Sequence, residues 1–323
     1  MKKAEVANGT WVTMITPFTA DNGIDVQGVQ ALVDWYLTHG VDGIFAVCQS
    51  SEMFYLSLRE RVELAKLVLQ QAKGRAPVVA SGHVAESIQD QIYELAAMAE
   101  LSPDVVVLVS NRLARPWEPD DVWKANAEKI LNALPGVVFG IYECPYPYKR
   151  LMSPELLTWC AQTGRFAFLK DTCCDVGQIK KKLAAVQGSG LKIFNANSAT
   201  LLESLKAGCS GFCGVMLNFH PALYEWMCLH WREYPQEAER LQHFATVASL
   251  IEPQMYPVNA KYHMALEGLP IGTHSRAYDD SCFDALKKTA TEHLYRMWKE
   301  FQMPAPLCNP LARQNAHQKM VGG

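Results

Sequence analysis

Short apolar runs rich in β-branched residues alternate with amphipathic segments along most of the chain, and eight such runs recur at intervals of roughly thirty residues. A near-continuous apolar run such as Val105-Val106-Val107-Leu108-Val109 is typical of a parallel sheet that is covered on both faces. The predicted strands are residues 11–17, 43–48, 77–82, 104–110, 137–142, 166–171, 191–196 and 211–216. This pattern indicates an α/β protein, and it matches a (β/α)8 TIM barrel better than the alternative, a doubly wound open sheet.

The chain beyond residue 220 has no further convincing strand. Its helical patterns cover residues 235–250, 256–266 and 279–301. We therefore predict a TIM barrel over residues 1–220, an appended C-terminal helical layer over residues 221–303, and a flexible tail over residues 304–323, which is rich in Pro, Asn and Gln.

Two segments carry clear signals for the start of a helix. In Ser57-Leu58-Arg59-Glu60 the serine and the glutamate have the spacing of a capping box. Ser153-Pro154 offers a capping serine followed by proline at the first helical position. Both segments follow predicted strands, as a strand–helix alternation requires.

The composition indicates an ordinary globular protein, with 49% hydrophobic and 20% charged residues. A net charge of −3 gives no electrostatic reason to expect nucleic acid or an anionic membrane as a partner. The first residues lack the apolar segment of a signal peptide, and no stretch approaches the roughly 20 apolar residues that span a bilayer. We therefore predict a cytoplasmic protein without a nucleic-acid or membrane partner.

The ten cysteines are scattered and include no C-x-x-C pair, which favours reduced thiols over a disulfide framework. The nine histidines include no H-E-x-x-H motif and no compact cluster with Cys or Asp. From these patterns we predict no metal.

Lys170 closes the apolar run Phe166-Ala167-Phe168-Leu169, a predicted buried strand. Lysine is rarely buried without a partner, and an apolar environment favours the neutral amine that condenses with a carbonyl to form a Schiff base. The alternative is a lysine that extends its charge to the strand end and pairs with Asp171.

Tyr142 closes the preceding strand, and adjacent strands lie about 5 Å apart, so the phenol and the amine of Lys170 can converge on one small substrate. A tyrosine in this position can transfer a proton beside an imine. The alternative is a core tyrosine whose hydroxyl binds backbone. Gln49 and Ser50 follow the second strand in a polar turn that can hold a carboxylate, although a plain turn explains them almost as well.

Several motifs in the same order resemble the dihydrodipicolinate synthase and N-acetylneuraminate lyase family of class I pyruvate-dependent aldolases, over roughly residues 8 to 280. They are Thr16-Pro17-Phe18, Cys48-Gln49-Ser50-Ser51-Glu52, Tyr142-Glu143-Cys144-Pro145, Phe168-Leu169-Lys170-Asp171 and Gly208-Cys209-Ser210-Gly211-Phe212-Cys213.

The resemblance implies a TIM barrel with C-terminal helices, usually a tetramer, that binds pyruvate or another 2-oxo acid as an imine and needs no cofactor. It implies that Lys170 forms the imine and that Tyr142 transfers protons. It also implies that the turn at Gln49 and Ser50 receives the substrate carboxylate, with the carbonyl of Cys213 near the bound acid.

The chain departs from the family pattern at three places. Gln49 replaces the first threonine of the usual Gly-Thr-Thr-Gly-Glu loop, and an amide cannot relay a proton as a hydroxyl does. The tyrosine pair expected after the fourth strand is absent, so no tyrosine from that position can reach a neighbouring subunit. The arginine that dihydrodipicolinate synthases place a few residues after their tyrosine is also missing, which argues against synthase activity.

Four further polar residues near strand ends are candidate substrate ligands. Glu143 and His83 can bind hydroxyls of a sugar-like acid or act on a proton, and a structural hydrogen bond is the alternative for each. Asn111 and Arg112 can recognise a distal polar or anionic group, and a surface ion pair is the alternative for the arginine.

These residues predict a Schiff-base-forming lyase or aldolase that acts on a 2-oxo acid and releases or condenses pyruvate, in a homo-oligomer that is a dimer or a tetramer. Two alternatives remain. The same imine supports dehydration of a 2-keto-3-deoxy sugar acid, and the altered loop is also compatible with a non-catalytic 2-oxo acid binding protein.

Overall fold

A computed structural model of the protein describes residues 6–305. Eight parallel strands form a closed barrel in which consecutive strands are neighbours and β1 pairs with β8 through Gly9 and Gly211. The strands are β1 Gly9–Thr13, β2 Gly43–Ala46, β3 Val78–Ala80, β4 Val105–Val109, β5 Phe139–Tyr142, β6 Phe166–Asp171, β7 Lys192–Asn195 and β8 Gly211–Phe212. The predicted TIM barrel is confirmed, and the pairing of β1 with β8 excludes the open sheet.

The helices alternate with these strands and then continue beyond the barrel. They are α1 Val26–Thr38, α2 Leu58–Ala72, α3 Ile88–Ala99, α4 Ser110–Leu113, α5 Asp120–Ala133, α6 Pro154–Gln162, α7 Val176–Ala185, α8 Leu201–Ala207, α9 Pro221–His230, α10 Pro235–Ala248, α11 Val258–Leu266 and α12 Ala285–Glu300. Ser57 and Glu60 form the predicted capping box of α2, and Ser153 caps α6 with Pro154 in its first turn. Both predicted helix starts are therefore confirmed.

The eighth strand is shorter than predicted, because the run 211–216 leaves the sheet after Phe212. Gly211 lies so close to β1 that a Cβ atom would stand 1.8 Å from the carbonyl oxygen of Gly9. The chain then forms a short 3-10 helix, Val215–Asn218, whose last side chain donates from Nδ2 to the carbonyl of Thr13 over 3.0 Å. An apolar run alone does not distinguish a buried strand from a buried helical turn, which explains the error.

The predicted C-terminal helices are present. Helix α9 contacts β1 and β8, α10 contacts α8 and α9, and α11 contacts α12. The boundaries assigned to the barrel and the helical layer stay predictions, and residues 306–323 of the predicted tail lie outside the described residues. No helix within residues 6–305 is long and apolar enough to cross a membrane.

Large aromatic rings fill the inside of the barrel. The ring of Phe168 contacts those of Trp11 and Phe194, with centroids 5.5 and 4.9 Å away, and that of Phe45 at 6.1 Å. Because side chains two residues apart on a strand share a face, the inward position of Phe168 also directs Lys170 towards the barrel axis. The packed aromatic layer therefore forms a floor below the carboxyl ends of the strands.

Candidate active site

Lys170 and Tyr142 are directly paired in the register of β5 and β6. The Lys170 Nζ atom lies 4.6 Å from the centroid of the Tyr142 ring, and the lysine side chain is buried, with only 3% of the residue exposed. Among residues 6–305, no carboxylate oxygen lies within the 4.0 Å ion-pair distance of this amine. The amine is thus placed beside a phenol and has no ion-pair partner in the part of the chain that the structure describes.

Asp171, which the sequence offered as a partner for Lys170, binds a different lysine. Lys182 Nζ from α7 lies 2.5 Å from Asp171 Oδ2 and 2.5 Å from Glu143 Oε1, and all three side chains are buried. Burial and the charge of Asp171 raise the pKa of Glu143, and the Lys182 ammonium opposes this shift. Glu143 and Asp171, which follow Tyr142 and Lys170 in sequence, are therefore joined by the buried ammonium group of Lys182.

The turn after β2 is backbone-strained, since Val47 has φ +51° and Glu52 has φ +60°. Left-handed backbone in a β-branched residue is an outlier of the kind that clusters at functional sites. The Gln49 side chain accepts a hydrogen bond from the thiol of Cys144 over 3.4 Å. The hydroxyl of Tyr256 accepts a hydrogen bond from Asn218 Nδ2 over 3.1 Å, and burial raises the pKa of this tyrosine well above its usual value.

Helix α11 and the segment that follows it fix this turn through Glu52. The Glu52 carboxylate accepts hydrogen bonds from Lys261 Nζ at 2.5 Å, from Ser275 Oγ at 2.8 Å and from the backbone N–H groups of Arg276 and Ala277. A buried carboxylate with this many donors is fully satisfied. The C-terminal part of the chain thus determines the position of the turn that carries Gln49 and Ser50.

A cavity of about 340 Å³ opens above Lys170 and Tyr142 at the carboxyl ends of the strands. Gln49 and Ser50 line it from the β2 turn, whereas Glu252 and Tyr256 line it from the segment between α10 and α11. Further lining residues are Glu52, Phe54, Tyr55, Pro145, Tyr146, Lys149, Thr172, Cys174, Ala196, Asn197, Val215, Pro257, Ala277 and Tyr278. Its size suits a small organic acid, and its position is where TIM barrels carry their active sites.

The profile of the dihydrodipicolinate synthetase family matches residues 7–278. The chain belongs to this family. The 4-hydroxy-tetrahydrodipicolinate synthase of Cellvibrio japonicus is 29% identical over 220 residues, which are 68% of this chain and 74% of that protein. The enzyme of the same name from Saccharophagus degradans is 26% identical over 263 residues, which are 81% of this chain and 89% of that protein.

Solved structures of this family show the same fold at low sequence identity. YagE of E. coli K12, crystallised with pyruvate, has a TM-score of 0.81 and 20% identity, over 90% of this chain and 98% of YagE. CdNal of Clostridium difficile, in complex with mannosamine, has a TM-score of 0.80 and 16% identity, over 90% of this chain and 99% of CdNal. The resemblance and the predicted class I lyase or aldolase are confirmed at the level of the family.

Four of the predicted site residues line the cavity above Lys170, which we call the Lys170 cavity: Lys170, Tyr142, Gln49 and Ser50. Cys213 is buried at the end of β8, and its N–H donates to the Asn195 carbonyl over 2.8 Å. Burial raises the pKa of its thiol to about 12, and the nearby Lys170 charge opposes the shift. The roles assigned to these five residues stay predictions.

Glu143 and His83 do not line this cavity. Glu143 accepts hydrogen bonds from Lys182 and from the N–H groups of Met152 and Thr172. His83 Nδ1 bonds Gln91 over 3.1 Å and Nε2 accepts the Val109 N–H over 2.6 Å, while burial lowers the pKa of the ring to about 4. Both side chains therefore have the structural hydrogen bonds that the sequence offered as the alternative.

Asn111 and Arg112 also lie outside the Lys170 cavity. The Asn111 amide donates to the carbonyls of Cys144, Tyr146 and Tyr148, and so holds the loop that follows Tyr142. Arg112 lies over the Phe54 ring at 5.3 Å and pairs with Glu86 at 3.5 Å, beside a separate cavity of about 200 Å³. Neither residue lines the Lys170 cavity, and their role as substrate ligands stays a prediction.

Sequence reasoning missed four residues of the site: Lys182, Lys149, Glu252 and Tyr256. Lys182 lies on an amphipathic helix with other lysines, and only the fold shows that it is buried. Glu252 and Tyr256 belong to a segment that meets the barrel through long-range packing, and no local signal marks them. Within residues 6–305, no group of three His, Cys, Asp or Glu side chains is arranged to hold a metal ion.

Proposed function

We propose that this chain is a Schiff-base-forming lyase or aldolase that cleaves a 2-oxo acid to pyruvate, or condenses pyruvate in reverse. One observation carries the proposal: the buried Lys170 amine lies against the Tyr142 phenol at the base of a cavity, without an ion-pair partner in the described chain. A buried lysine side chain that is not held in an ion pair can reach a carbonyl carbon placed in the cavity. Membership of the dihydrodipicolinate synthetase family supports the same chemistry.

In this mechanism the Lys170 nitrogen bonds to C2 of the 2-oxo acid, and the carbonyl oxygen leaves as water to give an iminium ion. The C4 hydroxyl loses its proton to a base of the site as the C3–C4 bond breaks. The iminium ion accepts the electrons of that bond, which releases an aldehyde and leaves an enamine. Protonation at C3 and hydrolysis then release pyruvate and restore the amine. Tyr142 carries the protons for imine formation and hydrolysis, since its ring stands beside the amine.

The Gln49–Ser50 turn receives the substrate carboxylate in this proposal. Gln49 and Ser50 both line the cavity at the end of β2. Tyr256 lines the same cavity and supplies a second phenol near this turn, where the family's threonine is replaced. The cytoplasmic location and the dimeric or tetrameric homo-oligomer also remain proposals, and light scattering on the purified protein tests the oligomer.

We further propose that the chain is not a typical dihydrodipicolinate synthase. No arginine of the described chain lines the cavity, and its cation near the mouth is Lys149, which donates to the Thr172 carbonyl over 2.9 Å. Arg150 is held elsewhere by Asp120 and the carbonyls of Arg115 and Glu118. A lysine bound in this way is a poor substitute for the bidentate grip of arginine on a carboxylate.

The test is an assay of pyruvate release from a panel of 4-hydroxy-2-oxo acids, with dehydration of 2-keto-3-deoxy sugar acids followed in parallel. We expect turnover of one member of the panel and no formation of 4-hydroxy-tetrahydrodipicolinate. Efficient formation of 4-hydroxy-tetrahydrodipicolinate would contradict the proposal that the chain is not a typical dihydrodipicolinate synthase. Binding of 2-oxo acids without turnover of any kind would favour the non-catalytic binding protein.

Replacing Tyr142 with phenylalanine is expected to lower kcat by about 10²-fold, because general acid–base groups contribute about 10²- to 10⁴-fold. The phenylalanine ring preserves the packing against Phe45 and Lys170. The measurement is steady-state kinetics of pyruvate release. The matched control is Tyr93→Phe, an exposed tyrosine on α3; equal kcat values for the two variants would remove Tyr142 from the mechanism.

A further inference from the structure

Glu252 is an unusual carboxyl group among those that the fold buries. Glu52, Glu94 and Glu143 each accept hydrogen bonds from a buried Lys or Arg and from backbone N–H groups. Half-buried Glu252 lines the Lys170 cavity, yet its side chain has no hydrogen bond or ion pair to any residue in the range 6–305. A partly desolvated polar group that faces a cavity without a partner is well suited to a partner supplied by a ligand.

The segment that carries Glu252 is anchored independently of this carboxyl group. Glu252 follows the 3-10 helix Ser249–Ile251, and its N–H donates to the Ser249 carbonyl over 3.0 Å. Farther along, the Asn259 amide donates to the Ile251 carbonyl over 2.8 Å. Removing the charge at Glu252 therefore breaks no contact of the described fold.

Three ionisable groups interact electrostatically with Glu252: Lys170 on β6, Tyr224 on α9 and Tyr256 ahead of α11. Burial raises the pKa of Glu252 to about 7, and the positive charge of Lys170 opposes this shift. The other charged groups of the cavity wall are engaged elsewhere, Lys149 with the Thr172 carbonyl and Glu52 with Lys261. The carboxyl group can therefore both give and take a proton near neutral pH.

We propose that Glu252 is a second acid–base group of the active site, which exchanges the proton of a hydroxyl on C4 of the substrate. This inference rests on the proposed Schiff base at Lys170 and assigns the group that acts on the C4 hydroxyl of a 4-hydroxy-2-oxo acid. Tyr142 is assigned the protons beside C2 because its ring contacts Lys170. Glu252, which lines the same cavity from the C-terminal segment, is assigned the proton of the C4 hydroxyl.

Two reactions use this group in opposite protonation states. In C–C cleavage the Glu252 carboxylate takes the C4 hydroxyl proton as the C3–C4 bond breaks, and the bond electrons pass to the iminium ion. In water loss the Tyr142 phenolate, formed when the phenol protonates the departing carbonyl oxygen, takes a proton from C3 to give the enamine. Protonated Glu252 then donates to the C4 hydroxyl, which departs as water. The kcat of cleavage therefore rises with pH through about 7, whereas the kcat of dehydration falls over the same range.

The experiment compares Glu252→Gln with wild type in two reactions. The first is pyruvate release, or dehydration, from the 4-hydroxy-2-oxo acid panel across pH 5.5 to 8.5, a range of roughly 1.5 units on each side of the expected pKa. The second is exchange of the pyruvate methyl protons with D2O, followed by NMR, which needs the imine and the enamine but involves no C4 hydroxyl. Glu128→Gln, an exposed carboxylate on α5, is the matched control.

We expect Glu252→Gln to lower kcat on the 4-hydroxy acids by about 10²-fold and to remove the inflection near pH 7. The same variant should slow pyruvate exchange far less, because only C3 and the imine take part in exchange. Three results would overturn the inference. They are a wild-type kcat in Glu252→Gln, a pH profile of kcat in this variant that keeps its inflection, and exchange of the pyruvate methyl protons without turnover of any 4-hydroxy acid. Absence of exchange in wild type would instead overturn the Schiff-base function on which it rests.

Discussion

Lys170→Met is expected to lower the rate of pyruvate release by on the order of 10⁴-fold or more, since removal of a covalent nucleophile eliminates the intermediate itself. Methionine is close to lysine in length and apolar, so it fits the contacts with Tyr142 and Phe45 that the lysine makes. The barrel should therefore fold normally. The measurement is kcat/KM for the best substrate of the panel, with circular dichroism to verify the fold.

Lys180→Met provides the matched control for Lys170→Met. Lys180 is an exposed lysine on α7, ten residues from the proposed nucleophile. Its replacement removes one positive charge without touching the cavity, so the rate should stay at the wild-type level. A Lys170→Met enzyme that retains more than a few per cent of wild-type kcat/KM would show that the reaction proceeds without an imine at this position.

Lys182→Met is expected to reduce the free energy of unfolding by about 3 to 5 kcal/mol, because it leaves two buried carboxyl groups without their cation. Asp171 and Glu143 are both inaccessible to solvent, and Lys182 is their shared ion-pair partner. Urea denaturation of the variant and of wild type measures the change. The exposed neighbour Lys181, replaced in the same way, is the control and should change the stability little.

The same variant tests whether the buried cluster positions the reacting groups. Glu143 and Asp171 directly follow Tyr142 and Lys170, so their displacement is expected to move the phenol and the amine relative to each other. We expect kcat to fall in Lys182→Met at temperatures where the protein is still folded. A variant with wild-type stability would contradict the structural role of the cluster, and wild-type kcat would contradict its positioning role.

The barrel and the pair Lys170 and Tyr142 could be predicted because both depend on local patterns. Apolar runs with helical segments between them specify a parallel α/β fold, and a polar residue that ends such a run lies at the active-site edge. Glu143 shows the limit of this reasoning. Consecutive residues of a strand face opposite sides, so inward Tyr142 turns Glu143 outward to meet Lys182 on α7.

The remaining part of the site depends on contacts that the sequence does not mark. Lys261 reaches Glu52 across 209 positions of sequence separation, and this pair places the C-terminal segment beside the Gln49–Ser50 turn. Glu252 and Tyr256 enter the cavity as a result of that packing. Neither residue lies at a strand end or within one of the motifs that resemble the family, so only the assembled fold reveals them.

The Schiff base at Lys170 is tested most directly by reductive trapping. The protein is incubated with pyruvate, reduced with borohydride and digested, and the modified peptide is identified by mass spectrometry. We predict one reduced pyruvate per chain, attached to Lys170 in the peptide that contains Phe168 and Asp171. No adduct, or an adduct confined to another lysine such as Lys149, would contradict the proposed function.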